Sequence, residues 1–179
     1  MLPAVWRVFR SSAVLLLIVG LAGCFRSDKP IIDKASAKFP FEELTLKTDT
    51  GETAILRKQG DAYIYLDTDK PADKQTDNRP ILLHEAAPGL TIIQETGENG
   101  GSIYLFAKRD GADDKKVVMA SVCRGLTPET LAKLGVEQEA QAGGFADCII
   151  KDLASLTALS QTPDVWSTET KTLEIVSIK

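Results

Sequence analysis

From Glu43 onward the chain carries short runs in which apolar and polar residues alternate, with turn residues between the runs. Leu44 and Leu46, for example, alternate with Thr45 and Lys47. Alternation with a period of two places the apolar side chains on one face of a β-strand. The pattern predicts strands at 43–47, 53–57, 62–66, 81–85, 90–95 and 102–107.

These runs form two similar groups of three. The motif Gly-x-Thr-x-Ile begins at Gly51 and recurs 38 residues later at Gly89, and the Ile-Tyr-Leu motif at Ile64 recurs 39 residues later at Ile103. The similarity favours a duplicated three-strand unit, although glycine and threonine are common around turns and strand starts, so two unrelated meanders are the alternative. The duplicated units would cover residues 43–66 and 81–106.

The third strand of each group is apolar on both faces. Tyr63 and Tyr65 share one face of the first of these strands, and Tyr104 and Phe106 share one face of the second. A strand with two apolar faces lies centrally in a sheet, with other elements packed on both sides. We therefore expect these four aromatic residues to belong to the core, and an aromatic ligand-binding face is the alternative.

Beyond residue 122 the pattern becomes that of short helices. Thr127 followed by Pro128 predicts a helix N-terminus, and Gly135 predicts its end. A second helix is predicted over 152–160, and a last strand over 172–178. The whole pattern predicts an α+β fold that is mainly antiparallel β. Its architecture would be a six- to eight-stranded meander sheet, or a small barrel or sandwich, with two short C-terminal helices.

The first residues have the character of an export signal. Arg7 and Arg10 precede an apolar stretch at 13–21, which is shorter than the roughly 20 residues of a membrane-spanning helix. The stretch ends in Leu21-Ala22-Gly23-Cys24, which resembles the lipobox of bacterial lipoproteins. This resemblance implies cleavage before Cys24, diacylglycerol on its thiol and acylation of the new amine.

The organisation that follows is a signal peptide at 1–23, a lipidated tether at 24–40 and one β-rich globular domain at 41–179. Sorting rules of such lipoproteins retain proteins with Asp after the lipidated cysteine at the inner membrane. Phe25 holds that position here. The resemblance therefore implies the outer membrane, on the periplasmic side, with the inner membrane and the cell surface as alternatives.

Charge and cysteine usage narrow the function classes further. The chain has 21 Lys and Arg against 25 Asp and Glu, a formal charge of −4, which argues against a nucleic-acid binder. Besides Cys24 there are two cysteines, Cys123 and Cys148, and in an oxidising compartment a pair predicts a disulfide. Free thiols and a redox pair are the alternatives.

Groups that could perform catalysis are few. His84 is the single histidine and is expected to be structural, because no nucleophile motif or second ligand accompanies it. The acid-rich segment from Asp67 to Asp77 departs from a calcium loop at Pro71, Ala72 and Asn78, and is expected to be a solvated loop. No catalytic set, metal site or cofactor motif is predicted.

The sequence therefore predicts a non-catalytic, membrane-anchored periplasmic lipoprotein that binds an envelope protein partner or supports an envelope assembly. A periplasmic inhibitor of a lysozyme or protease is the alternative, with the loops at 97–101 or 67–79 as its contact surface. A carboxylate-dependent envelope hydrolase is a third hypothesis, because the separation of two carboxylates cannot be read from sequence.

Overall fold

Eleven strands and three short helices form the part of the chain that the computed structural model describes, which comprises residues 24–68, 79–97, 99–141, 146–167 and 169–179. The strands are β1 (Phe25–Ser27), β2 (Glu43–Lys47), β3 (Thr53–Gln59), β4 (Ala62–Asp67), β5 (Ile81–Ala87), β6 (Leu90–Thr96), β7 (Ser102–Asp110), β8 (Asp113–Ala120), β9 (Glu137–Ala140), β10 (Ala146–Ile149) and β11 (Thr170–Ile178). The helices are α1 (Pro128–Lys133), α2 (Leu153–Ser160) and α3 (Pro163–Ser167).

Eight of the strands close into an antiparallel barrel. Strands β2 to β8 follow one another around the barrel, each paired with the next, and β11 pairs with both β8 and β2 to complete the ring. The predicted β-rich α+β class is therefore confirmed. The ring depends on the last strand returning to the first one of the barrel, which the local pattern of each strand does not specify.

The register of the barrel strands decides which side chains point inward. Leu44 lies opposite Leu56 on β3 and opposite Ile178 on β11, and Ala107 lies opposite Met119 on β8. Side chains alternate between the two faces of a strand, and residues opposite one another on paired strands share a face. These residues therefore point inward together. The buried interior side chains are Leu46, Ala54, Leu56, Tyr63, Ile81, Leu83, Leu105, Ala107, Met119 and Leu173.

Strands β4 and β5 make the sparsest pairing in the barrel. Among the described residues they share one register position, Tyr63 opposite Ile81. Beyond this position, the segment that precedes β2 takes the place of β4 beside β5. The Lys38 N–H donates to the Leu83 carbonyl at 2.8 Å and forms a β-bridge there. Phe39 packs near the Tyr63 ring, with 5.8 Å between ring centroids, and covers this part of the wall.

A second layer covers the outer face of β5, β6 and β7. Strand β1 pairs with β7 where β8 has ended, β10 pairs in parallel with β1, and β9 forms the outer edge of this flanking sheet. Helices α2 and α3 contribute the apolar side chains of Leu156, Leu159 and Val165. We refer to the buried residues between this layer and the barrel wall as the flanking core. It contains Phe25, Ile32, Ile92, Tyr104, Phe106, Ala120, Leu131, Ile150, Leu156, Leu159 and Val165, among others.

The local helix signals are confirmed by the structure. The Thr127 hydroxyl accepts the Thr130 N–H at 3.1 Å and caps α1, which begins at Pro128. Gly135 follows that helix with a φ of 68°, a backbone conformation that suits glycine. Asp152 caps α2 by accepting the Ser155 N–H at 2.8 Å. Helix α3 is an element that the sequence pattern does not predict.

Residues 24–40 pack against the domain instead of extending from it as a tether. Phe25 and Ile32 are both buried in the flanking core, and β1 is hydrogen-bonded on both sides. The apolar residues of this segment are too sparse to predict a strand. Their burial depends on the outer surface of β6 and β7, which is far away in sequence.

The two three-strand groups do not place their matched residues in equivalent positions. Tyr65 points into the barrel, because it lies opposite Leu56, whereas Tyr104 points outward into the flanking core. Likewise Ile93 faces the interior and Ile55 the exterior. A shift by one residue exchanges the two faces of a strand, so the sequence similarity does not extend to a similarity of side-chain environment.

Candidate functional site

The barrel interior contains a cavity of about 410 Å³. Its wall is built from inward-facing apolar side chains of seven of the eight barrel strands, so the cavity lies inside the ring of strands. An eight-stranded barrel is wide enough either to be filled by its own side chains or to hold one small ligand. The apolar wall residues are Phe41, Leu44, Leu46, Leu56, Leu83, Ile93, Ala107, Val117, Met119 and Ile175.

The cavity reaches one end of the barrel, where its border becomes polar. This end is formed by the turn between β5 and β6, the hairpin between β7 and β8, and the end of β11. Gly89 and Arg109 border the cavity there, joined by a backbone hydrogen bond of 3.2 Å. The charged side chains of this rim are Lys38, Glu85 and Arg109, and Ile178 adds an aliphatic side chain that is 50% exposed. The site is thus an apolar cavity with a charged entrance.

The four aromatic residues singled out in the sequence lie on two sides of the barrel wall and do not form one face. Tyr63 and Tyr65 belong to the interior, and Tyr104 and Phe106 belong to the flanking core. Tyr63 is fully buried, and its hydroxyl donates to the Phe41 carbonyl at 2.7 Å. Burial is the main cause that raises the pKa of Tyr63.

Tyr104 belongs to a buried polar network that attaches residues 27–32 to the barrel wall. The amide oxygen of Gln94 accepts the N–H groups of Ile31 and Ile32, each at 2.8 Å, and the amide nitrogen donates to the Ile32 carbonyl at 2.9 Å. The Tyr104 hydroxyl lies 2.7 Å from the Ser27 hydroxyl. Sequence reasoning missed this network, and the only signal was a glutamine directly after Ile92 and Ile93.

The proposed lipidation residue, Cys24, lies at the start of the flanking sheet. Its N–H donates to the Asp147 carboxylate at 2.9 Å, and its carbonyl accepts the Cys148 N–H at 2.8 Å. Burial, and then the Asp147 charge, raise the pKa of the Cys24 thiol.

The predicted disulfide between Cys123 and Cys148 is present, with 6.0 Å between the Cα atoms. Cys123 follows β8 and Cys148 lies in β10, and both side chains are buried in the flanking core. The bond connects the end of the barrel meander to the flanking sheet.

The remaining sequence candidates lie away from the cavity or outside the described residues. His84 lies on the outer side of β5, and its Nδ1 is 2.8 Å from the Ser36 carbonyl oxygen. Most of the acid-rich segment, at 69–78, lies outside the described residues, as does Glu98. Around Glu98, Gly97 and Gly101 are joined by a backbone hydrogen bond of 2.8 Å at the turn between β6 and β7.

The described residues hold no group of three or more His, Cys, Asp or Glu side chains placed to bind a metal ion. Within the same residues, no helix has the length and apolar character needed to cross a membrane. Comparison of the chain with protein-family models, with curated proteins and with solved structures finds no match.

Proposed function

We propose that this protein is a non-catalytic, membrane-anchored lipoprotein of the bacterial cell envelope that acts by binding, with the barrel cavity as its binding site. The cavity is the observation that carries the proposal. A volume of about 410 Å³ falls in the range of small-molecule sites, and an apolar wall with a few polar groups at the entrance is typical of them. Its wall favours binding over chemistry because the ionisable side chains lie at the rim.

The lipid anchor rests on the Leu21-Ala22-Gly23-Cys24 motif. Cleavage before Cys24 would leave all of the described residues in the mature chain, because they begin at Cys24. With two or three acyl chains, the domain would be held stably at a membrane, whereas one chain binds marginally. Phe25 after the cysteine favours the outer membrane, on its periplasmic side.

The anchor is tested by Cys24→Ser. We expect the variant to lose labelling by a metabolically incorporated fatty-acid probe and to leave the outer-membrane fraction on a density gradient. A second variant, Cys123→Ser, controls for loss of a cysteine, because it should keep both the label and the membrane location. Labelling of the Cys24→Ser variant would contradict the anchor.

The binding site is tested by photocrosslinking in intact cells. Ile178 lines the entrance of the cavity, whereas Val176 on the same strand does not, and the two aliphatic side chains are similarly exposed at 50% and 54%. A photoreactive residue at Ile178 should capture a defined molecule, and the same residue at Val176 should not. Equal capture at both positions, or none at Ile178, would overturn the cavity as the binding site.

A protein partner that binds outside the cavity is the second candidate. Strand β9 is the edge of the flanking sheet, all four of its residues are exposed, and within the described residues its only strand partner is β10. An edge of this kind can accept an added strand from another chain. Crosslinks from Gln138 to one envelope protein would favour this candidate, and stoichiometric inhibition of a lysozyme or protease would favour an inhibitor.

A further inference from the structure

The cavity has an inner end and an entrance with opposite chemical characters. Leu46 and Met119 lie farther from the rim along their strands, where they pack with Leu105 and Leu173. Lys38, Glu85 and Arg109 lie at the open end. A ligand that enters this barrel would therefore place an apolar part at the inner end and a polar part at the rim.

The charges at the entrance favour a negative group on the ligand. Among the residues that the structure describes, Lys38, Glu85 and Arg109 form no ion pair with one another or with other side chains. The charged side chains named at the entrance are therefore two cations and one carboxylate. Lys108 also borders the cavity, but its ammonium group lies over the Trp166 ring on the outer face, 4.3 Å from the ring centroid.

We propose that the barrel cavity binds a single-chain amphiphile with an acidic head group, of the fatty-acid or lysophospholipid class. The acyl chain would lie along the wall formed by Leu44, Ile93 and Val117, and the head group would contact Lys38 and Arg109 at the rim. This inference rests on the proposed function, because it names the ligand class of the same cavity.

The proposal is tested with the full-length protein purified and held in phosphatidylcholine nanodiscs, using palmitic acid that carries a photoreactive diazirine on its chain. We expect the label on peptides from β6, β8 and β11. Competition by unlabelled fatty acids should weaken by roughly fourfold for each methylene removed, which corresponds to about 0.8 kcal/mol per buried methylene.

Variants that fill the cavity distinguish binding inside it from binding at the protein surface. Val117→Phe fills the cavity wall, while Val118→Phe places the same ring on the neighbouring residue, which points away from the cavity. Labelling should be lost in Val117→Phe and kept in Val118→Phe. Thr91→Phe, at a half-buried wall position, repeats the test if the first variant does not fold. Equal labelling in the cavity-blocking and control variants would overturn the proposal.

The contact between the head group and Arg109 is tested separately, by the affinity for palmitate. Arg109→Gln should weaken the binding of palmitate by roughly two- to fivefold, as expected for a solvent-exposed ion pair, and should leave the methyl ester of palmitate unaffected. Stronger competition by lysophosphatidylglycerol than by free palmitate would support the proposal and identify a phospholipid as the source, whereas labelling that neither molecule reduces would overturn it. If no acyl ligand binds while Ile178 crosslinks to an envelope protein, the amphiphile is wrong and the cavity remains the binding site.

Discussion

The two sides of the barrel wall are packed very differently, although the same strands supply both. Of the twelve largest fully buried side chains among the described residues, nine belong to the flanking core and two, Tyr63 and Ile81, to the barrel interior. Strand β7 shows the contrast directly, since Phe106 packs outward against Phe25 while Ala107 points inward to the cavity. The difference indicates that the outer side provides most of the tightly packed core, and that the inner side leaves space for a ligand.

The largest expected effect comes from removing the same side chain on each side. Leu159→Ala, in the flanking core, should lower the free energy of unfolding by about 3–5 kcal/mol. Leu44→Ala, on the cavity wall, should cost only about 1–2 kcal/mol, because its partly exposed side chain already lacks packing partners on the cavity side. Urea denaturation measures both values, and equal losses would refute the comparison.

Removing the disulfide measures how much the covalent link between the barrel and the flanking sheet contributes to stability. Cys123→Ser should lower the free energy of unfolding by about 3.5 kcal/mol, because the closed loop limits the unfolded chain. Thermal melting of the variant should match that of the reduced wild type, and a reducing agent should not affect the variant further. Melting unchanged from the oxidised wild type would contradict the prediction.

The Gln94 network tests the attachment of residues 24–40. Gln94→Leu should cost about 1–3 kcal/mol, because it leaves the Ile32 N–H without its acceptor and leaves the Ile31 N–H only the longer contact of 3.2 Å to the Tyr104 hydroxyl. Hydrogen exchange at these two amides should accelerate before that of the barrel strands. Gln161→Leu is the control, because the Gln161 side chain is exposed and its only side-chain hydrogen bond given by the structure is long, 3.4 Å.

The smallest effect concerns the start of α2. Asp152→Ala should cost about 1 kcal/mol through loss of the N-cap. The hydrogen bond from the Ser155 N–H is the largest of the effects that lower the pKa of Asp152 in the folded state. A lowered folded pKa means that this contribution is present above about pH 4 and is lost as the pH falls through the folded value.

The pH dependence has a direct control. Asp152→Asn keeps a hydrogen-bond acceptor at the cap but removes the titrating carboxylate, so its stability should change less than that of the wild type between pH 5 and pH 3. An identical acid profile for the two proteins, followed by the unfolding midpoint in urea, would count against the role of the carboxylate.

Local signals in the sequence were sufficient for individual elements. Patterns of apolar residues indicated seven of the eight barrel strands, all except β8, Thr127 and Asp152 lay where helices begin, and the cysteine pair indicated the disulfide. Each of these features depends on residues close in the chain or, for the disulfide, on the pair that remains when Cys24 is assigned to the lipobox. They are decided by interactions between residues close in sequence or, for the disulfide, by a choice among very few pairings.

The cavity could not be predicted in the same way, because it exists only once β11 pairs with β2. Leu44 and Ile178 are far apart in sequence, and their pairing closes the barrel. The same limit explains the aromatic residues, since alternation shows that Tyr63 and Tyr65 share a face but not that Tyr104 lies on the other side of the wall. It also explains the segment at 24–40, whose burial requires the assembled surface of β6 and β7.

The place of Cys24 directly before β1 would affect how the protein meets its ligand. An acyl anchor on Cys24 would leave almost no slack between lipid and domain, because Phe25 is already held in the sheet. The domain would then search a thin layer beside the membrane instead of the surrounding volume. Molecules confined to that layer would be met at a high effective concentration, so even a modest intrinsic affinity for them would be sufficient for binding.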